Sequence, residues 1–206
     1  MERVIAYIDG FNLYFGLKSK GWRRYYWLDP RALVLNLLKP HQQLVAVRYF
    51  TARISSPTHD REKRKRQNTF LEAVETLADT SIYYGHYLPK QQTCFRCGAT
   101  WDSHEEKMTD VNIAVQMLND AADDAFDVAM LISADSDLTA PVQAIRTRFP
   151  SKRVVLACPP ARQSKRLETV AHACFRIGRK KIQDSQLPDE VTKPDGFVLK
   201  RPSKWS

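Results

Sequence analysis

Short runs of apolar, β-branched or aromatic residues recur along the chain at Val4 to Ile8, Leu44 to Phe50, Ile82 to Tyr87, Val128 to Ile132, Val154 to Ala157 and Cys174 to Ile177, and each reads as a strand. Between them apolar positions fall three and four apart, the helical period, at Pro30 to Leu38, Asp60 to Leu77, Glu106 to Leu118, Leu138 to Arg148 and Arg162 to Ala171. Strand followed by helix, repeated, predicts an α/β fold with a parallel sheet covered on both faces. In such open sheets the working site lies beyond the carboxyl ends of the strands, where strand order reverses and the loops splay apart. Acids at strand ends are therefore the positions to examine. No internal repeat is present.

At 206 residues and 43% apolar content the chain suffices for one domain, expected over residues 1–180 with a CxxC insertion around 86–104. Past Lys181 it runs through Pro188, Pro194, Gly196 and Pro202 with scattered charge, which predicts a flexible or loosely docked polar tail over 181–206. No apolar run is long enough to span a bilayer, and Glu2 and Arg3 stand where a signal peptide would begin its apolar stretch, so a cytoplasmic protein without a membrane partner is expected. In that compartment Cys94, Cys97, Cys158 and Cys174 are expected to stay reduced.

Thirty-two Lys and Arg against 23 Asp and Glu give a net charge of +9, favouring a polyanionic partner. From Asp102 to Asp137 the balance inverts, with ten carboxylates and Lys107 as the one basic residue. An acidic segment within a basic chain fits a cation-holding pocket ringed by a phosphate-attracting surface. Asp120, Asp123, Asp124 and Asp127 are set aside as a solvated helix end.

The first strand runs into Asp9-Gly10-Phe11-Asn12, placing Asp9 at its carboxyl mouth with Gly10 giving freedom to turn. Asn12 is placed to cap the next helix or to hold Asp9 or a phosphate. The buried run Val128 to Ile132 leads into Ser133-Ala134-Asp135-Ser136-Asp137 before a helix. Two acids two residues apart at a strand mouth repel unless a cation lies between them, which points to a hard divalent metal, although Ser136 or Asp137 also suits the helix cap. A third contribution is Glu106-Lys107-Met108-Thr109-Asp110-Val111, read as opening a helix whose apolar stripe is Met108, Val111, Val115 and Leu118, with Asp110 off its centre. A surface Lys107–Asp110 pair is the plainer reading of that segment.

Taken in chain order, as Ile8 to Leu13, Glu106 to Val111 and Ser133 to Leu138, these three motifs and their spacing resemble the NYN domains of the LabA-like branch of the PIN-like nucleases, over about residues 1 to 178. The resemblance implies a three-layer α/β/α sandwich around a mostly parallel sheet, RNA as substrate and Mg²⁺ or Mn²⁺ as cofactor. It makes Asp9, Asp110, Asp135 and Asp137 the catalytic, metal-holding acids, with Asn12, Ser133 and Ser136 as polar supports and Lys107 at the substrate. Two or three carboxylates suffice for Mg²⁺, which keeps several waters, and hydrolysis by metal-activated water follows. RNA, single-stranded or looped, is the expected partner, and a homodimer is left open.

Two further segments carry candidate chemistry. Cys94-Phe95-Arg96-Cys97-Gly98 has the spacing of half a zinc knuckle, with His104 as the nearest further ligand and His86, Cys158 and Cys174 as others; a redox pair or unliganded thiols are the alternatives. If zinc binds there, it would pin the loop before the Glu106 helix. Arg61, Lys63, Arg64, Lys65 and Arg66 open a helix, where cations sit poorly against its dipole; Arg61, Arg64 and Lys65 are taken as phosphate contacts. Trp22 to Trp27 interleaves aromatics with Arg23 and Arg24, suited to stacking unpaired bases, although half of these rings suit the core equally. An RNA-binding module without turnover is the first rival. A haloacid-dehalogenase-type phosphatase would need a second Asp where Phe11 stands, and neither a GxGxxG nor a P-loop follows the first strand.

Overall fold

A computed structural model describes residues 1–54 and 61–205, and within 87–92 and 101–107 the backbone alone. The chain runs through β1 (Glu2–Asp9), α1 (Gly10–Ser19), α2 (Pro30–Leu37), β2 (Gln42–Thr51), α3 (Arg61–Glu75), β3 (Thr80–Tyr84), β4 (His86–Thr93), β5 (Thr100–Lys107), α4 (Thr109–Ala122) and β6 (Val128–Ile132). It continues through α5 (Thr139–Arg148), β7 (Arg153–Cys158), α6 (Lys165–Val170), β8 (Ala173–Arg176), α7 (Arg179–Gln183), β9 (Glu190–Thr192) and β10 (Val198–Lys200). Six strands form one sheet in the order β3-β2-β1-β6-β7-β8, every pairing parallel. All six strands expected from the apolar runs are in it. The predicted run Ile82 to Tyr87 ends early: β3 stops at Tyr84, and β4 leaves to pair antiparallel with β5 as a separate hairpin. The start assigned to the third helix at Asp60 lies outside the described residues.

Alternation along β1 divides the core. Val4, Ala6 and Ile8 pack with Leu13, Leu17, Leu33, Val34 and Leu71 from α1, α2 and α3 on one face. Ile5 and Tyr7 pack with Ile113, Met117, Val142, Ile145 and Leu167 from α4, α5 and α6 on the other. The result is the expected α/β/α sandwich, and β1, covered on both sides, is continuously apolar for that reason. The chain moves outward from β1 to β3 and then returns to lay β6 against the other edge of β1. That reversal sets the carboxyl ends of β1 and β6 side by side, since Ile8 pairs with Ile132.

Several expectations need correcting. The helix assigned from Glu106 begins at Thr109, because β5 stays extended through Lys107. Its buried stripe is Thr109, Ile113, Met117, Asp120 and Ala121, whereas Met108, Val111 and Val115 are exposed. Two stripes of similar spacing share this helix, and the one meeting Tyr7 and Phe126 is buried.

The segment after Lys181 is packed rather than loose. Leu187, Val191 and Leu199 are buried around Trp27, whose Nε1 donates to the Pro188 carbonyl at 2.7 Å. Among the described residues the strands β9 and β10 pair with each other alone, and their few apolar positions suffice because Trp27 supplies the partner surface.

The acids at the end of α4 are not a solvated group either. Asp120 is buried and accepts from Tyr7 Oη at 2.6 Å, Arg48 Nε at 2.6 Å and Arg48 Nη2 at 2.7 Å. Burial and Asp120 together push the Tyr7 hydroxyl far up, so it remains a donor. Asp124 and Asp127 pair with Arg3, and Asp124 also with Lys152. Asp123 alone of the four is exposed and without a pair among the described residues.

Gly10 and Gly16 set how closely α1 lies on its neighbours. A Cβ on Gly10 would sit 2.8 Å from the Phe50 carbonyl oxygen and the Tyr49 ring, and one on Gly16 would sit 2.5 Å from the Pro160 carbonyl oxygen. Gly10 is thus required for a close approach, rather than for the freedom to turn that its place after Asp9 suggested.

Two stability outcomes follow. Asp120→Ala, which leaves Arg48 and Tyr7 facing a void, should lose about 3 kcal/mol in urea unfolding, while Asp123→Ala should stay within about 0.5 kcal/mol of wild type. Gly10→Ala should lose about 1–3 kcal/mol by forcing α1 off β2; an unchanged unfolding midpoint would show that the helix shifts without cost.

Candidate active site

Asp9 ends β1 and serves as the N-cap of α1, its Oδ1 accepting the Asn12 amide N–H at 2.9 Å. Asn12 Nδ2 donates to Asp9 Oδ2 at 2.7 Å, and Ser133 Oγ donates to the same oxygen at 3.0 Å. Ser133 is fully buried at the first position after β6, so the strand reversal delivers it to Asp9. All three donors are neutral, and among the described residues no Lys or Arg pairs with Asp9. Burial raises the Asp9 pKa against the lowering effect of these hydrogen bonds, and the nearby Asp135 charge adds to the rise.

Asp135 is the cap of a single 3-10 turn over Ser136–Leu138, with Oδ1 accepting the Asp137 amide at 3.0 Å. Its own N–H donates to Ser133 Oγ at 3.1 Å, so one hydroxyl joins the two strand ends. Asp110 lies in the first turn of α4, reached through Met108 at φ 77° and ψ −5°. That left-handed conformation is uncommon for an L residue and occurs where the chain must change direction in one step. Here it turns the end of β5 into α4.

Asp9, Asn12, Asp110 and Asp135 line one pocket of about 230 Å³, together with Phe11, Met108 and Thr109. Three of the four expected acids and one polar support are therefore brought together, with Ser133 behind them. Asp137 and Ser136 are exposed on the 3-10 turn and do not line this pocket. The Lys107 side chain lies outside the described residues; its backbone immediately precedes Met108.

Among the described residues no three His, Cys, Asp or Glu side chains are drawn close enough to enclose an ion. The donor set still fits one kind of cation. Mg²⁺ or Mn²⁺ prefers carboxylate oxygen, keeps several waters and needs only one or two protein carboxylates, and a buried acid whose donors among the described residues are neutral gains from such a neighbour.

The cysteine pair is elsewhere, at the turn of the β4–β5 hairpin, where the Arg96 and then the Cys97 backbone amides lower the Cys94 thiol pKa. The His104 backbone pairs with Pro89, four positions below the last rung at Thr93 and Thr100. The His104 side chain, expected as the third ligand, lies outside the described residues. His86 lies farther still, at the base of the hairpin. Cys158 is buried with its thiol near Glu168, and Cys174 is exposed on β8.

A second cavity, of about 700 Å³, adjoins the acidic pocket, and Phe11 lines both. Of the basic run on α3, Lys63 and Arg66 line it; Arg61, Arg64 and Lys65 are exposed and line neither cavity. Lys63 and Arg66 share their helix face with Gln67 and Phe70, a spacing of three, four and seven that the alternation of charge along the run conceals. Of the aromatics from Trp22 to Trp27, Trp27 and Tyr25 are core, while Tyr26 and the neighbouring Arg23 face the cavity.

Comparison with known proteins agrees with the fold. The NYN domain family model matches residues 3–177. A crystal structure of a protein of unknown function from Vibrio parahaemolyticus superposes with a TM-score of 0.58 at 19% identity, over 90% of this chain and 96% of that one, and so shares its fold. The chain is 27% identical over 201 residues to the 6-hydroxy-3-succinoylpyridine 3-monooxygenase HspA of Pseudomonas putida, covering 81% of this chain and only 62% of that protein. With its sheet order, its strand-end acids and this match over nearly its whole length, the chain belongs to the NYN domain family of PIN-like nucleases.

Proposed function

We propose that the chain is a Mg²⁺- or Mn²⁺-dependent ribonuclease, of the LabA-like branch, that hydrolyses phosphodiester bonds within single-stranded or looped RNA. The observation that carries this reading is the sharing of one pocket by Asp110, Asp135 and a buried Asp9 whose donors, among the described residues, are neutral. Asp9, Asp110 and Asp135 would hold the cation. When bound, it supplies a water acidic enough to attack at neutral pH and a positive charge for the phosphoryl oxygens.

The chain's own residues perform the positioning. Asn12 and Ser133 fix both oxygens of Asp9, so its carboxylate cannot rotate away from the pocket. Asp135 is held by its own role as a turn cap. Asp9 must lose its proton to bind a cation, and its raised pKa places that loss at a higher pH than for an ordinary carboxyl. Lys107, next to Met108 in the chain, is assigned to a nonbridging phosphate oxygen. Asp137, exposed on the 3-10 turn that Asp135 caps, is kept as the outermost acid of the set. The net charge of +9 supports a polyanionic substrate. The activity in the name of the Pseudomonas putida relative is not carried over, because this chain spans only 62% of that protein.

Purified wild type should cleave labelled single-stranded RNA in Mg²⁺ or Mn²⁺ and not in EDTA, with Asp135→Asn lowering the rate at least about 100-fold. Cleavage surviving EDTA or this substitution would refute the reading, and RNA binding without cleavage in either metal would leave a binding module.

The pKa of Asp9 gives a second measurement, read in EDTA. A carboxyl whose folded pKa is raised binds its proton more tightly folded than unfolded, so its ionisation costs stability. The cost is absent below the unfolded pKa, grows as pH rises and is complete above the folded pKa. Wild-type Tm should therefore fall as pH climbs through that window, and Asp9→Asn should flatten this part of the profile while abolishing cleavage. Parallel Tm profiles for the two proteins would show that Asp9 is not destabilised by burial.

A further inference from the structure

Resting on the nuclease reading above, the structure assigns the larger cavity to one nucleotide of the RNA strand next to the cleaved linkage, with the segment after the family-matched region forming its wall. The cavity of about 700 Å³ lies within the range of about 300–1,000 Å³ typical of small-ligand sites. Among its described lining residues are five cations, Lys18, Arg23, Lys63, Arg66 and Lys204, and no Asp or Glu. In a chain with 23 acids that sorting selects an anion. The same wall carries aromatic rings: Tyr26 and Trp205 lie 5.9 Å apart between centroids, and Tyr14 lies 5.0 Å from Tyr26. Planar rings beside cations suit a base and its phosphate, which neither an inorganic anion nor an apolar ligand would use in full.

Position restricts the ligand further. Phe11 lines both this cavity and the acidic pocket, and Gly10, directly after Asp9, lines the cavity too. A nucleotide seated here would therefore continue directly into the acid site, as an adjacent unit of one strand. The wall formed by Lys204 and Trp205 lies beyond residues 3–177, the extent of the family match. It is held there by contacts of its own: Arg201 donates to the backbone carbonyls of Arg24 and Trp205, and the Trp205 ring packs on Tyr26, Trp27 and Phe70. The buried Leu187, Val191 and Leu199 anchor the segment from beneath.

Binding of a fluorescent ten-nucleotide single-stranded RNA, measured in EDTA, tests the assignment without requiring turnover. Trp205→Ala should weaken binding about tenfold and Trp205→Phe should largely restore it, as expected for a base-stacking ring. Lys63→Gln with Arg66→Gln should reduce the slope of log affinity against log salt by about 1.4, at about 0.7 per lost phosphate contact. Uridine or adenosine monophosphate should bind at least about tenfold more weakly than the strand and compete with it.

Wild-type affinity and salt slope in the Lys63/Arg66 double variant would overturn the inference, as would a mononucleotide binding as tightly as the strand. Should Trp205→Ala fail to fold, the salt slope of that double variant alone decides. An enzyme that cleaves RNA while its cavity variants bind normally would retain the nuclease function and lose this site. A protein that never cleaves but binds through the cavity would do the reverse.

Discussion

A carboxylate buried in a protein at neutral pH must either be neutralised or be supplied with favourable partners, and Asp9 is given three hydrogen-bond donors but, among the described residues, no cation. Much of the structure is arranged around keeping it there. The strand reversal between β1 and β6 brings Ser133 to it, α1 begins on it, and Gly10 lets that helix approach β2 so closely that Asn12 can reach back. A residue placed for stability alone would gain from an apolar or amide side chain here, as burial works against its charged form. The retained charge is intelligible as a site held ready for a ligand of opposite sign.

Elsewhere in the fold buried charge is treated differently, and the contrast is instructive. Asp120 is as deeply buried as Asp9, but Arg48 grips it with two hydrogen bonds and Tyr7 with a third. Its charge is compensated within the chain and leaves nothing to offer a cation. Asp120 lies near the end of α4 and Asp9 at the mouth of β1. Of the two, Asp9 opens onto the pocket, so partners in space separate an acid already compensated from one left to a ligand.

The features legible in the sequence were those set by local pattern. Six apolar runs became six strands of one sheet, and acids directly following β1 and β6 had to fall at their carboxyl ends once the strands were known. What eluded reading depends on contacts between distant segments. In α4 two apolar stripes compete, and only the position of Tyr7 and Phe126 decides that Ile113 and Met117 turn inward while Val111 and Val115 face out. The pairs Arg48–Asp120 and Arg3–Asp127 join residues more than seventy positions apart, which no local rule connects. The final segment has too few apolar residues to predict a core of its own; it folds because Trp27, far earlier in the chain, offers the surface they need.

Packing of that final segment changes what the charge distribution means. A net charge of +9 spread over a surface would attract RNA without orienting it, because backbone phosphates carry no positional information along the strand. Here cations from α1, α3 and the last residues converge on one cavity, from which carboxylates are excluded among the described lining residues, while Asp9, Asp110 and Asp135 converge on the pocket beside it. Phe11 lines both spaces and so forms part of the boundary between them. The fold thereby keeps a site for anions and a site for cations distinct at adjacent positions, and a substrate that carries phosphates along its length, with metal ions accompanying them, is the kind of ligand able to satisfy both at once.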